Sequence, residues 1–234
     1  MKIVQKTYQW FRLFILAVWV QLFNFLEFVQ LCFLYYPFSS FFKVDLYLTF
    51  LYLWKSPFKV AKVFALKQGE DPYAYGETAL ISLGALLKKI GISKEDCFFE
   101  LGCGSARSCF FVRQILGCRV VGVDWNPCFI EKAKKAKETF EIEKIKFLVS
   151  DFSFLDFSDA TIVYLYGTCL DAKTINRLIT SLRNSVKKDC KIVTVSFALN
   201  HYLNEEVFEV EEIYSVGFVW GKAEVFVQTL KQKN

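Results

Sequence analysis

Histidine is almost missing from this chain: of 234 residues only His201 is one. A Ser-His-Asp triad or a histidine-rich metal site therefore has nothing to be built from, and His201 reads as an ordinary loop residue. The eight cysteines (Cys32, Cys97, Cys103, Cys109, Cys118, Cys128, Cys169 and Cys190) contain no C-x-x-C pair. Most sit in apolar runs, which implies reduced core thiols, a reducing compartment and no zinc. There is no internal repeat and no low-complexity tract, and no small-residue cleavage site follows the first apolar run, so a signal peptide is a poor fit. A strong charge excess is missing too. The net charge of +5 suits anionic lipid or an acidic protein surface without demanding nucleic acid.

What the chain has in excess is apolar and aromatic surface: 54% hydrophobic residues and 26 Phe. Much of that excess precedes residue 66. Leu13 to Tyr36 is nearly all apolar, interrupted by Gln21, Asn24, Glu27 and Gln30. Its length suits a membrane span, but the four polar residues spread over about half a helix circumference, so a helix lying in the interface or packed on a partner competes with a span. Pro37 breaks this helix. Val44 to Trp54 is a second apolar segment, too short to cross alone, readable as the return arm of a hairpin or as a hood packed on the following domain. Lys43, Lys55, Lys59, Lys62 and Lys67 surround it, with aromatics, in the mixture of a headgroup boundary. We expect membrane association through residues 1–66, with the lysines on the cytoplasmic face. The polar stretch from Lys67 to Tyr75 marks the boundary with a second unit, 67–234.

That unit is organised around residues 97–127. Cys97 to Leu101 is a short apolar strand running into Gly102 and Gly104, the pattern of a buried strand ending in a tight turn. Ala106 to Leu116 has helical spacing and stops at Gly117. Arg119 to Val123 is the next strand and delivers Asp124 about twenty residues after the glycines, where acidic side chains take ribose hydroxyls. The ligand therefore contains a nucleoside. A dinucleotide fold wants a third glycine where Arg107 stands. Glu100 beside the turn would repel a diphosphate but suits a ligand with an ammonium and a sulfonium, S-adenosylmethionine.

ELGCGSAR, VVGVDWNP and VSDF together resemble the glycine motif, ribose acid and adenine motif of the class I S-adenosylmethionine-dependent methyltransferases. The resemblance spans about residues 73–230. It implies an α/β, Rossmann-like seven-strand sheet with helices on both faces and the last strand inserted antiparallel, here preceded by an apolar helical appendage. It also implies that Glu100, Gly102, Gly104, Asp124 and Trp125 hold the cofactor, with Asp151 at the adenine amino group and Phe152 against the ring. Tyr75-Gly76-Glu77-Thr78, locally only a helix start with Thr78 as cap, resembles the entry loop of the disruptor-of-telomeric-silencing family of histone lysine methyltransferases. There the loop folds over the methionine end of the cofactor, so Tyr75, Glu77 and Thr78 join the cofactor-binding set.

Asn126 and Pro127 start the next helix, Lys144 to Val149 is a third strand and Thr161 to Tyr166 a fourth. Tyr166-Gly167-Thr168 follows it, where catalytic residues sit in such sheets. These residues match neither an Asn-Pro-Pro-aromatic signature nor a metal-binding carboxylate cluster, and they depart from the paired asparagines of the histone-directed family. Tyr164 and Tyr166 are the candidate catalytic residues, with Phe197 and Trp220 beside them in an aromatic channel that would favour a neutral lysine amine. Asp171 caps a helix to Val186, Lys191 to Phe197 is a fifth strand, and Phe208–Tyr214 with Glu224–Leu230 closes the sheet as an antiparallel pair. The expectation is a membrane-attached methyltransferase using S-adenosylmethionine, without a metal, on a protein lysine; a lipid or quinone acceptor and a cofactor-holding module without turnover are the alternatives.

Overall fold

The computed structural model describes residues 2–167 and 170–231, with side chains from Trp10 onward. Seven strands form one sheet: β1 Cys97–Leu101, β2 Arg119–Asp124, β3 Ile145–Val149, β4 Ile162–Leu165, β5 Lys191–Val195, β6 Phe208–Phe218 and β7 Gly221–Leu230. Their order is β3-β2-β1-β4-β5-β7-β6. The first five are parallel, and β7 enters antiparallel between β5 and β6. This is the sheet expected from the motifs. The strand order reverses between β1 and β4, and the crevice above that switch point is where such sheets bind ligands.

Both faces of the sheet are covered: the central strands are buried at every position and, Glu100 apart, carry apolar or aromatic side chains that need cover on each side. One face packs against α4 Leu80–Lys89, α5 Arg107–Phe111 and α6 Pro127–Thr139 through Leu83, Phe110 and Ala133. The other packs against α7 Ala172–Ser185 through Ile175, Leu178 and Leu182. The helix expected over residues 106–116 is shorter than its spacing predicts: α5 gives way to a π-turn at Val112–Leu116 before Gly117 (φ 81°) closes it. Asn126 caps α6 with Pro127 at its first position, and Asp171 caps α7.

Three α-helices precede α4: α1 Lys2–Leu34, α2 Phe41–Leu51 and α3 Pro57–Gln68. The return-arm reading of residues 44–54 needs correction. Phe41, Val44 and Leu48 of α2 are buried in the same core as α4 and α5, and Phe41 meets the ring of Phe111 edge-on at 5.5 Å. Aromatic content alone cannot tell such a hood from a membrane segment, since both bury apolar faces. Within α1, Val20, Phe23, Glu27 and Leu31 are the less exposed stripe, and Leu31 reaches the core. Thr78 does not cap α4 either. The Glu27 carboxylate accepts from the Leu80 amide there, which explains a polar residue in the middle of the apolar run.

Candidate functional site

Two hollows meet at the carboxyl ends of β1, β2, β4 and β5. The deeper, of about 340 Å³, lies between the β1 and β2 ends on one side and Tyr166 and α7 on the other. Asp124, Trp125, Asp151, Phe152, Gly102 and Tyr75 all face it, so the structure brings most of the expected cofactor residues together. Asp124 is buried and holds the glycine turn: one oxygen accepts from the Gly104 amide at 2.8 Å and the other from the Asn126 amide at 2.8 Å. Each oxygen keeps a lone pair for a ligand. Burial pushes its carboxyl above the usual carboxylate range, opposed by those two amides. Asp151 caps a short 3-10 turn through Ser153, and its second oxygen lies 3.8 Å from Arg177.

Glu100, the next-to-last residue of β1, is buried beneath the turn. Its oxygens accept from Ser108 Oγ at 2.6 Å and Cys109 Sγ at 2.9 Å. Burial raises its carboxyl to about 7, against those two donors. It lies at a small recess off the main hollow, under Tyr75, Gly76, Glu77 and Thr78. These four residues lie over the glycine turn as a lid-like segment. Tyr75 Oη donates to Glu77 at 2.6 Å, and the same carboxylate accepts from Ser105 Oγ at 3.0 Å. The contact needs a bare backbone: a Cβ on Gly104 (φ 51°) would lie 2.7 Å from Tyr75 Cε2. Ala106, also left-handed at φ 62°, marks strain in the same turn.

Tyr164 needs correction as a candidate catalytic residue. It is buried, its ring stacks on Phe98, and its hydroxyl is 3.0 Å from Thr78 Oγ1, so it supports the lid from below and faces neither hollow. β4 stops at Leu165, so Tyr164 is held inside the sheet's core while Tyr166, one residue beyond the strand, stands at the mouth. Tyr166 accepts from the Trp220 indole at 2.6 Å. Trp220, Phe218 and Tyr166 stack in series, with centroids 5.3 and 5.4 Å apart. With Tyr73, Phe197 and Tyr202, the rings of Tyr166 and Trp220 wall the second, wider hollow, of about 510 Å³, which no charged side chain lines among the described residues. Thr168 of the Tyr-Gly-Thr segment and Cys169 lie outside the described residues. His201 is in a 3-10 turn, its Nδ1 accepting from the Ala198 amide at 3.4 Å.

Several residues at the site were not foreseen. Ala61, Phe64 and Ala65 of α3 line the deeper hollow, and Phe64 meets Trp125 edge-on at 5.2 Å. The lysines around them pointed to a headgroup boundary rather than to a ligand site. Arg107, the misfit in the glycine motif, forms a two-pronged pair with Asp45 of α2 (2.6 and 2.9 Å), with Glu27 of α1 3.9 Å away. It anchors the turn to the N-terminal helices. Although burial works against its charge, the Asp45 pair raises its pKa above the ordinary arginine value. Asp45, a carboxylate at the fifth position of the apolar α2, was the available signal. Among the described residues no group of three metal-ligating side chains gathers.

The residues fit a nucleoside-bearing cofactor on the structure's own terms. The hollow exceeds the lower bound for small-molecule sites, about 300 Å³ and offers a carboxylate at a strand end, flanking aromatics and a buried Asn126 amide nitrogen without a partner. Residues 98–189 match the family described as a methyltransferase domain. Sterol 24-C-methyltransferase of Eremothecium gossypii is 30% identical over 83 residues, 35% of this chain and 22% of that protein. The Saccharomyces cerevisiae sterol 24-C-methyltransferase is 29% identical over an equal stretch. The chain thus spans about a fifth of the length of these curated relatives. An RNA methyltransferase from Salinibacter ruber in complex with S-adenosyl-L-homocysteine superposes with a TM-score of 0.54 at 20% identity, covering 68% of this chain and 97% of that one. The PH0226 protein from Pyrococcus horikoshii superposes with 0.54 at 19% identity, covering 65% and 89%. The fold is that of the class I methyltransferases, and residues 98–189 are similar to a methyltransferase domain.

Proposed function

We propose that the chain is an S-adenosylmethionine-dependent methyltransferase that works against a membrane, on its cytoplasmic face, and methylates a protein lysine. The observation that carries this reading is the junction of the two hollows. Ala74, Tyr75, Gly76 and Tyr166 wall both, so a donor in the deeper one and an acceptor in the aromatic one meet across the lid and Tyr166. Asp124 and Trp125 would hold the nucleoside, with Asp151 and Phe152 around the base, and Glu100 the amine end beneath the lid. The cofactor, when bound, supplies a methyl group on a positively charged sulfur.

This chain's residues then have three tasks: alignment, exclusion of water and provision of a neutral nucleophile. Tyr75 and Glu77, pinned to Ser105, close the turn from solvent. A lysine amine, with a free pKa of about 10.4, loses its proton more readily between aromatic walls that offer no carboxylate. Tyr166 sits where the two hollows meet, and its ring with that of Trp220, both backed by Phe218, can face the methylated cation. The apolar helix, of which Trp10–Phe38 is long and apolar enough to cross a membrane, supports attachment, and the lysines after it support the cytoplasmic side.

A lipid acceptor is the second reading, favoured by the partial likeness to sterol 24-C-methyltransferases. Incubating membranes and the full chain with methyl-labelled cofactor separates the two. Label that survives delipidation and maps to lysine is the expected result; label extracted wholly into the lipid phase would replace lysine by lipid. Label in neither phase, from protein that binds the cofactor, would leave a binding module.

A further inference from the structure

We propose that α1 lies in the plane of an anionic bilayer rather than crossing it, and that the aromatic acceptor hollow opens onto that same bilayer. The inference rests on the membrane reading above and fixes what that reading leaves open, the orientation. Its first support is a length. From Val20 onward one stripe of α1 is turned to the domain, and Glu27 and Leu31 are locked there by the α4 amide and the core. Residues 2–19 remain, 18 residues or about 27 Å of helix. Lys2, Lys6 and Arg12 occupy that piece, leaving only the run 13–19 free of polar residues. A span needs about 20 predominantly apolar residues. Gaining them would mean pulling Glu27 off the α4 terminus and into hydrocarbon, away from Arg107. With the domain docked as it is, α1 does not reach across.

The second support is where the exposed apolar surface sits. Trp19 of α1 donates its indole N–H to the Val219 carbonyl at 2.9 Å, one residue from Trp220 at the hollow's rim. At the other side of the cleft, Phe58 of α3 meets Tyr75 of the lid edge-on at 5.1 Å, and Phe64 meets Trp125. The apolar helices therefore flank the cleft on two sides. On and beside these helices Phe14, Phe25, Phe50 and Trp54 are all exposed. So much exposed aromatic surface is a binding face. Lys43, Lys55 and Lys59 fringe it, which selects an anionic lipid surface over a neutral apolar partner. A bilayer covering both flanks comes up to the mouth between them, so the acceptor is a group held at the membrane surface.

The test uses the full chain carrying one tryptophan, Trp19 or Trp220, with the other four changed to Phe. It is added to vesicles of phosphatidylcholine and phosphatidylserine brominated either near the headgroup or near the bilayer centre. The expected result is that both tryptophans lose emission, each more to the shallow bromine than to the deep one. Trp19 quenched best by the deep bromine, with Trp220 unaffected, would mean a span and overturn the proposal. If both are shallow but Trp220 is unaffected, the hollow faces away and the proposal falls while attachment stands. No quenching of either would remove attachment itself, leaving cofactor binding to be judged separately by calorimetry. Should four replacements unfold the chain, hydrogen exchange on the unmodified protein reads the same point: vesicles should protect residues 218–221, and unchanged exchange there would contradict the proposal.

Discussion

Glu100 is a carboxyl group sealed beneath a glycine turn, and its protonation couples stability to pH. Folded, it titrates at about 7, against 4.5 for the free side chain. Between those values the folded chain holds a proton that the unfolded chain has lost, so stability falls as pH rises through this window. The loss approaches about 3 kcal/mol for Glu100 alone, and Asp124, also raised by burial, acts in the same direction. Thermal unfolding of the cofactor-free protein should therefore show a lower Tm at pH 8 than at pH 5, with Glu100→Gln flattening the difference; an unchanged slope in that variant would show that Glu100 is not the group responsible. Asp124 makes a second residue-level case. Since its two oxygens hold the Gly104 and Asn126 amides, Asp124→Ala removes both the turn's anchor and the ligand's acceptor. We expect cofactor affinity to fall by about a hundredfold or more, roughly two charge-assisted hydrogen bonds, as read by calorimetry.

Between elements, the Arg107–Asp45 pair joins α2 to the start of α5 across 62 positions of sequence. Asp45 is buried, so removing either member leaves a charge without its partner. Asp45→Ala should cost about 3 kcal/mol in urea unfolding, and the paired change Arg107→Met with Asp45→Leu should recover a large part of it. Equal losses in both would show that the pair is not an ion-pair clamp. The same contact shows where sequence reading stops. The β1-turn-α5-β2 run was legible because its signals are local: an apolar strand, two glycines, a helical spacing, an acid at the strand end. Arg107 was visible only as a misfit, because its explanation lies in another helix. Phe64 was invisible for the same reason, and Tyr164 was misplaced because alternation gives both tyrosines one direction, and only the strand's end after Leu165 separates the buried Tyr164 from Tyr166 at the cleft.

For the whole molecule, the N-terminal helices serve two purposes that composition merges into one. Their inner faces complete the core and the cofactor hollow, while their outer faces remain apolar and exposed. Truncation separates them. Removing residues 1–18, ahead of the Trp19, Glu27 and Leu31 contacts, should leave cofactor affinity within about twofold, since distant sites act independently, while weakening vesicle binding. Removing residues 1–34 should lower stability by several kcal/mol, about what a buried leucine and a lost helix cap cost. Equal behaviour of the two truncations would mean that the docked half of α1 contributes nothing to the fold.

The most direct measurement is calorimetric titration of the purified full chain with S-adenosylmethionine, with Asp124→Ala as the companion. The prediction is one site per chain, saturable in the micromolar range where small-molecule sites of this size bind, about −8 kcal/mol, and lost in the variant. No heat at millimolar cofactor, or equal binding by the variant, would contradict the assignment.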